Sequence, residues 1–266
     1  MDVRDPGDAA IRDERRSGAQ TVERAIDILN LFRDRESSLT ITSIARQTGL
    51  NLSTAHRLVR TLVDEHFMEQ DPMTEQYRLG SALVVLGRRA LHTSGVDLAR
   101  PVIERLSEAT TETVSLGQRR GVDVVILLQS SSRQALRFEH PSGGPINLHA
   151  SAMGKALLAF GEVSPRAAVA DLGRLPRFTD ATITSHAALV DDLERVRAVG
   201  FALNHQERYD GVCGVAAPIK DERGIARYSV GIQGPAVRLT DERLVQLGAS
   251  LIESAAEIGA LVAGQH

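Results

Sequence analysis

The stretch TITSIARQTGLNLSTAHRLVRTLVDEH, residues 40–66, reads as two short helices around a sharp corner. Thr40 is placed to cap the first, Ile41, Ile44 and Ala45 form one apolar stripe, and Gly49 supplies the backbone freedom that an interhelical corner needs. From about Asn51 a second helix puts Leu52, Ala55, Leu58, Val59, Leu62 and Val63 on one side and Ser53, Thr54, Arg57, Arg60 and Thr61 on the other. An ordinary solvated helix face is the competing reading. Against it, the polar arc holds two arginines, two threonines and a serine with no carboxylate before Asp64, and such side chains pair with phosphate oxygens and base edges. FMEQDPMTEQYRLG follows, with extended runs at 67–70 and 76–79 around a turn at Asp71 and Pro72. Helix, corner, helix, hairpin is the order of a winged helix-turn-helix, whose second helix enters the major groove of double-stranded DNA.

The whole chain fits a globular protein with room for two domains: 266 residues, 42% hydrophobic and 24% charged. A single cysteine excludes a disulfide framework within the chain and suits a reducing cytosol. No apolar run is read as approaching the roughly 20 residues that span a bilayer, so a cytoplasmic protein with no membrane partner is expected. Thirty-one Lys plus Arg against 34 Asp plus Glu leave a net charge of -3, so any hold on DNA must come from local charge.

Residues 1–19 are rich in opposite charges and poor in large apolar side chains, and are expected to form a loose tail without a signal peptide. From Thr21, TVERAIDILNLF repeats Val22, Ala25, Ile26, Leu29 and Phe32 at helical spacing behind a threonine cap, giving a scaffold helix for the next two. The DNA-binding domain is thus placed at 20–80. SALVVLGRRALHTSG, 81–95, reads as a linker helix whose apolar side meets a second copy of the chain. From residue 96 to 266 strand-like runs (TVSLGQ, VDVVILLQ, FALNHQ, GVCGVAAPIK, ARYSVGIQ) interleave with helical patterns at 151–160, 164–171, 186–199 and from Thr240 onward. The fold class expected is α+β, with a curved antiparallel sheet flanked by helices in the second domain.

Within that domain HASAMGKA, residues 149–156, is the candidate ligand stretch. Ser151 is a credible N-cap. It would leave the N–H groups of Ala152, Met153 and Gly154 at the positive end of a helix dipole, where a carboxylate or phosphate can bind without a charged side chain. An ordinary capped helix packed on a sheet explains the same residues.

Residues 21–265 resemble the IclR family of bacterial transcription regulators, in which a winged helix-turn-helix precedes a GAF-like effector-binding domain. The resemblance is carried by LTITSIARQTGLNLSTAHRLVRTL with its wing ending YRLG, by NLHASAMGKALLAF, by GFALNHQERYDGVCGVAAPI and by GIQGPAVRLT. It implies a homodimer or homotetramer on a palindromic operator, with a small organic-acid effector altering DNA affinity. The DNA-contacting set it implies is Asn51, Ser53, Thr54, His56, Arg57 and Arg60, with Arg78 in the wing. The effector-binding set is Phe138, Ile146, Ala152, Met153, Asn204, Val212, Gly214, Gly231 and Gln233.

The departures from the family pattern are informative. Leu52 stands where a lysine or other polar residue is common, and the wing tip is acidic at Asp71 and Glu75. Gly214 replaces a frequent cysteine or serine, while Gly231 and Gln233 replace two serines. Cys213 neighbours the usual cysteine position and should point to the opposite face of its strand. Losing polar anchors at two glycines predicts a larger hollow suited to a bulkier acid, such as an aromatic one, unless Met153 or Phe138 swings into the space.

Other chemistries fit less well. GKA at 154–156 resembles the end of a P-loop, but His149 stands where the first glycine belongs and Ala156 lacks the magnesium-binding hydroxyl. His140, His149, His186, His205 and Cys213 form no recognised ligand spacing, and neither metal nor cofactor is expected. His205, Glu207 and Asp210 share a loop without a convincing nucleophile–base pair, so an enzyme is not expected. The alternative kept open is a GAF-like small-molecule-binding protein or enzyme that uses its first domain for assembly.

Overall fold

The computed structural model describes residues 6–33, 37–138 and 146–263, with side chains from Gly18 onward. The chain divides between Arg89 and Ala90 into two compact units.

The first unit begins with α1 (Pro6–Asn30). The loose tail expected over 1–19 is corrected over 6–19, which are helical; residues 1–5 lie outside the described ones, and Thr21 sits inside the helix instead of capping it. Alanine, arginine and glutamate are good helix formers, so low hydrophobicity alone was a poor guide to this segment. Helices α2 (Ile41–Thr48) and α3 (Leu52–Asp64) follow, the corner between them made by Gly49 at φ 69. Thr40 and Asn51 are the two N-caps, accepting from the backbone N–H of Ser43 and Thr54. The hairpin β1 (Met68–Gln70) and β2 (Tyr77–Leu79) closes the unit over a core of Ile28, Phe32, Leu39, Ile44, Leu58, Val59, Met68 and Tyr77. A Cβ at Gly80 would collide with the His66 carbonyl, so only glycine lets the end of the wing pass the end of α3. Beyond it α4 (Ser81–Thr93) buries none of its residues, and Val84, Val85 and Leu86 are more than half exposed.

The second unit is a six-stranded antiparallel sheet in the order β5-β4-β3-β8-β7-β6. The strands are β3 (Thr113–Arg120), β4 (Asp123–Ser130), β5 (Ile146–Asn147), β6 (Ala202–His205), β7 (Val212–Lys220) and β8 (Ala226–Pro235). Each face has its own core. Val114, Leu116, Val215, Ala217, Val230 and Ile232 pack with α5 (Arg100–Thr110) and α9 (Asp241–Ala263), whereas Ala202 and Ala216 pack with α6 (Ala152–Ala159), α7 (Pro165–Ala170) and α8 (His186–Val199). A bulge beside Leu116 and Gly117 opposes Leu116 to Leu128 but Gly117 to Ile126. The extra residue on β4 sends Leu128 to one core and Ile126 to the other despite their even spacing. One expectation is corrected: α9 is long and apolar enough to cross a bilayer by composition. Its stripe of Leu244, Leu251, Ala255, Ile258 and Val262 is buried in the sheet core, which is how an apolar helix behaves in a globular unit.

Candidate functional site

Helix α3 presents Ser53, His56, Arg57, Arg60 and Thr61 to solvent, while Ala55, Leu58 and Val59 hold it on the core. Among the described residues neither Arg57 nor Arg60 has an ion-pair partner, so both guanidinium forks are available to phosphates or base edges. Two members of the implied DNA set are occupied otherwise. Asn51 Oδ1 accepts from the Thr54 N–H at 2.8 Å, which spends its carbonyl on capping the helix. Arg78 donates through Nε and a terminal nitrogen to Glu69 Oε2 at 3.2 and 3.1 Å across the wing. Leu52, grouped by periodicity with the apolar side, is instead 54% exposed, because the first turn of α3 projects past the core. The wing tip carries Asp71, whose carboxylate accepts from the N–H groups of Met73 and Thr74; these bonds hold its pKa below the ordinary carboxylate value.

In the second unit the start of α6 lines a pocket. Ser151 caps the helix and its Oγ accepts from the Gly154 N–H at 3.1 Å. Gly154 is therefore not available to a ligand, contrary to expectation, and the first-turn amides left without an intrahelical acceptor are those of Ala152 and Met153. The pocket is lined by Ile146, Ala152, Met153, Asn204, Val212, Gly214 and Gln233 from the implied set, joined by Ser151, Arg208, Tyr209, Cys213 and Val215. Phe138 and Gly231 are not in its wall. Phe138 stacks on Tyr209 with ring centroids 5.3 Å apart, and Gly231 lies beneath Met153.

The side chains change two expectations and bear out a third. The hollow is not enlarged: its volume is about 20 Å³, because Met153 has taken the space that Gly231 leaves. Asn204 does not offer its amide to a ligand, since Nδ2 donates to the Ala150 carbonyl at 3.1 Å and Oδ1 accepts from the Glu207 N–H at 2.9 Å. Cys213 touches the pocket's edge, yet its side chain belongs to the α9 core, as the alternation along β7 requires, and burial pushes its thiol pKa up.

The largest omission from the sequence reading is Lys155. It is 2% exposed within a wholly buried helix, with Nζ 2.6 Å from Glu207 Oε1 and 2.9 Å from Asp192 Oδ2. Asp192 in turn takes Arg195 at 2.9 Å. Burial drives the Glu207 pKa up, and Lys155 only partly offsets it; at Asp192 burial also pushes up, but Lys155 and Arg195 together bring the pKa below its ordinary value. These ion pairs clamp α6 to α8 and to the loop after β6, which carries the pocket residues Arg208 and Tyr209. The signal was present in ASAMGKALLAF: a lysine inside an unbroken apolar run must find a buried counter-ion. Next to it His149, 3% exposed, donates Nε2–H to the Pro176 carbonyl at 3.0 Å, and burial lowers its pKa. Arg208 lies over the Phe178 ring, its guanidinium carbon 3.8 Å from the centroid. Among the described residues no three His, Cys, Asp or Glu side chains gather into a metal-binding group.

Both halves of the chain match family models: the IclR helix-turn-helix domain over residues 21–72 and the bacterial transcriptional regulator IclR C-terminal domain over residues 90–260. The chain belongs to the IclR family. It is 39% identical over 242 residues to the HTH-type transcriptional regulator BhcR of Paracoccus denitrificans, covering 91% of this chain and 86% of that one. The crystal structure of an IclR transcriptional regulator from Alicyclobacillus acidocaldarius superposes with a TM-score of 0.82 at 26% identity, covering 91% of this chain and 98% of that one. An IclR homologue from Microbacterium hydrocarbonoxydans, solved in complex with 4-hydroxybenzoate, gives 0.79 at 25% identity, with 92% and 99% covered. This IclR protein is a DNA-binding transcription regulator with an effector-binding domain, not an enzyme.

Proposed function

We propose that this regulator binds a palindromic operator as a homodimer or homotetramer through α3, and that its affinity for DNA changes when a small organic acid is held at the start of α6. The observation that carries the effector half is the capping geometry. Ser151 Oγ occupies the Gly154 N–H, and the Ala152 and Met153 amides, unpaired at a dipole's positive end, border a pocket. The 4-hydroxybenzoate complex of the Microbacterium homologue supports an organic acid as the ligand class. The DNA half rests on Arg57 and Arg60, cations of the outer arc without an ion-pair partner among the described residues, with Ser53, Thr54 and His56 beside them; the cytoplasm is the compartment this role implies. Assembly is supported by the uncovered apolar side chains Val84, Val85 and Leu86 of α4, an arrangement a second copy would bury.

A gel-shift titration tests the DNA reading. Arg57→Ala and Arg60→Ala should each weaken operator binding by roughly 1–3 kcal/mol if the lost contact is bidentate to a guanine, with the fold unchanged. Wild-type binding should fall steeply with salt although the chain is net negative. Wild-type affinity in both variants would remove α3 from the groove.

A further inference from the structure

We propose that Met153 is the residue that sets effector size: its thioether is a movable plug lying where the body of a bound acid would go. This rests on the reading of the α6 start as the acid site. The plug lies over two glycines of a sheet face that they share with the small side chains of Ser115 and Ser229. Gly117 on β3 and Gly231 on β8 fall near each other in the ladder, where Ser115 pairs with Gly231 and Gly117 with Ser229. A Cβ at Gly231 would stand 2.7 Å from Met153 Cγ and 3.2 Å from Sδ, and a Cβ at Gly117 would stand 2.8 Å from Cε. The methionine side chain thus runs flat from one glycine to the other, and any larger residue at either position would evict it.

What remains of the pocket is about 20 Å³. A water needs about 10–15 Å³ on this measure, so one water fits beside the first-turn amides and an organic acid does not. A carboxylate can reach the Ala152 and Met153 amides only if its hydrocarbon body displaces the thioether. Methionine suits that exchange. It is unbranched, turns about three bonds and packs irregular gaps without a strict shape. Gln233 Nε2 lies 4.0 Å from Sδ, a long and weak hydrogen bond, so it adds little directional bonding to hold the thioether down. The space that opens matches the departing Cγ, Sδ and Cε, a slim linear volume. It admits short unbranched acids and excludes a ring unless the thioether is removed altogether.

Calorimetry on the full chain tests this with two probes, pyruvate and 4-hydroxybenzoate, on wild type and Met153→Ala. Wild type should prefer pyruvate, and Met153→Ala should tighten 4-hydroxybenzoate at least tenfold more than it tightens pyruvate. In parallel, methyl-labelled methionine should show the Met153 Cε resonance shifting when pyruvate is added, with Met68, buried in the DNA-binding unit, as the unmoved control. Equal affinity of both proteins for 4-hydroxybenzoate overturns the plug and leaves the acid site standing. Absence of binding by either acid to either protein overturns the acid site and the plug with it. If Met153→Ala fails to fold, Met153→Leu conserves the volume and should fold; being branched at Cγ it should clear the floor less readily and lose pyruvate affinity at least tenfold, whereas unchanged affinity counts against the plug.

Discussion

Replacing Lys155 by methionine keeps the stem of the side chain and removes the ammonium, so it isolates what the buried charge contributes. Nζ stands 2.6 Å from Glu207 and 2.9 Å from Asp192, and both carboxylates would lose it at once. They would not suffer equally. Asp192 is 18% exposed at its side chain and keeps Arg195, whereas Glu207 is 6% exposed there and keeps no cation among the described residues. Breaking a buried pair from one side costs about 3–5 kcal/mol, and with Asp192 still partnered the lower end is expected, about 3 kcal/mol. For a unit of this size that lowers the melting temperature by roughly 6–12 °C. The sign of the pH dependence follows from Glu207. Its folded pKa already lies above the ordinary glutamate value, so its contribution is fully favourable below that value and is lost as pH rises through the raised one. Removing Lys155 raises the folded value further. The variant's deficit should therefore be larger near about pH 7.5 than near about pH 5, because falling pH protonates more of the raised Glu207 carboxyl. Urea melts followed by circular dichroism at both pH values read this directly. Lys155→Met with Glu207→Gln should recover at least half of the loss. A single variant within about 1 kcal/mol of wild type at the higher pH, or an equal deficit at both, would refute the clamp.

Two further outcomes can be checked with the same preparations. His149 is held neutral by burial, with a folded pKa below the reference 6.5, so its contribution is complete above about pH 6.5 and is lost as pH falls through the lowered value; His149→Gln should flatten the acid limb of the stability curve, and an unchanged limb would exclude this histidine as its source. Val85→Glu on the uncovered side of α4 should shift sedimentation toward monomer at micromolar concentration and weaken operator binding, whereas a monomeric wild type would remove the assembly reading.

What could be read from the chain alone was whatever depends on neighbours in sequence. The amphipathic period of α3 beyond Leu52, the caps at Thr40 and Ser151, and the corner at Gly49 are set within four residues of themselves, and each stands where its pattern places it. What the sequence hid depends on groups far apart along the chain. Glu207 is 52 positions from Lys155, and Ala150, which fixes the Asn204 amide, is 54 from it. The β4 bulge, which reverses the faces of Ile126 and Leu128, is legible only once β3 is laid beside it. The pocket shows the distinction most plainly. Substitution by glycine at Gly231 correctly implied missing volume, but a close-packed interior does not leave a void when a flexible neighbour can reach it. Met153 is that neighbour: the position that loses a side chain and the position that fills the gap are 78 residues apart, and only the fold brings them within contact. Side-chain loss in a pocket therefore predicts ligand size only after the nearest unbranched side chain has been placed, and here that side chain supports the amide carrying the proposed anion site.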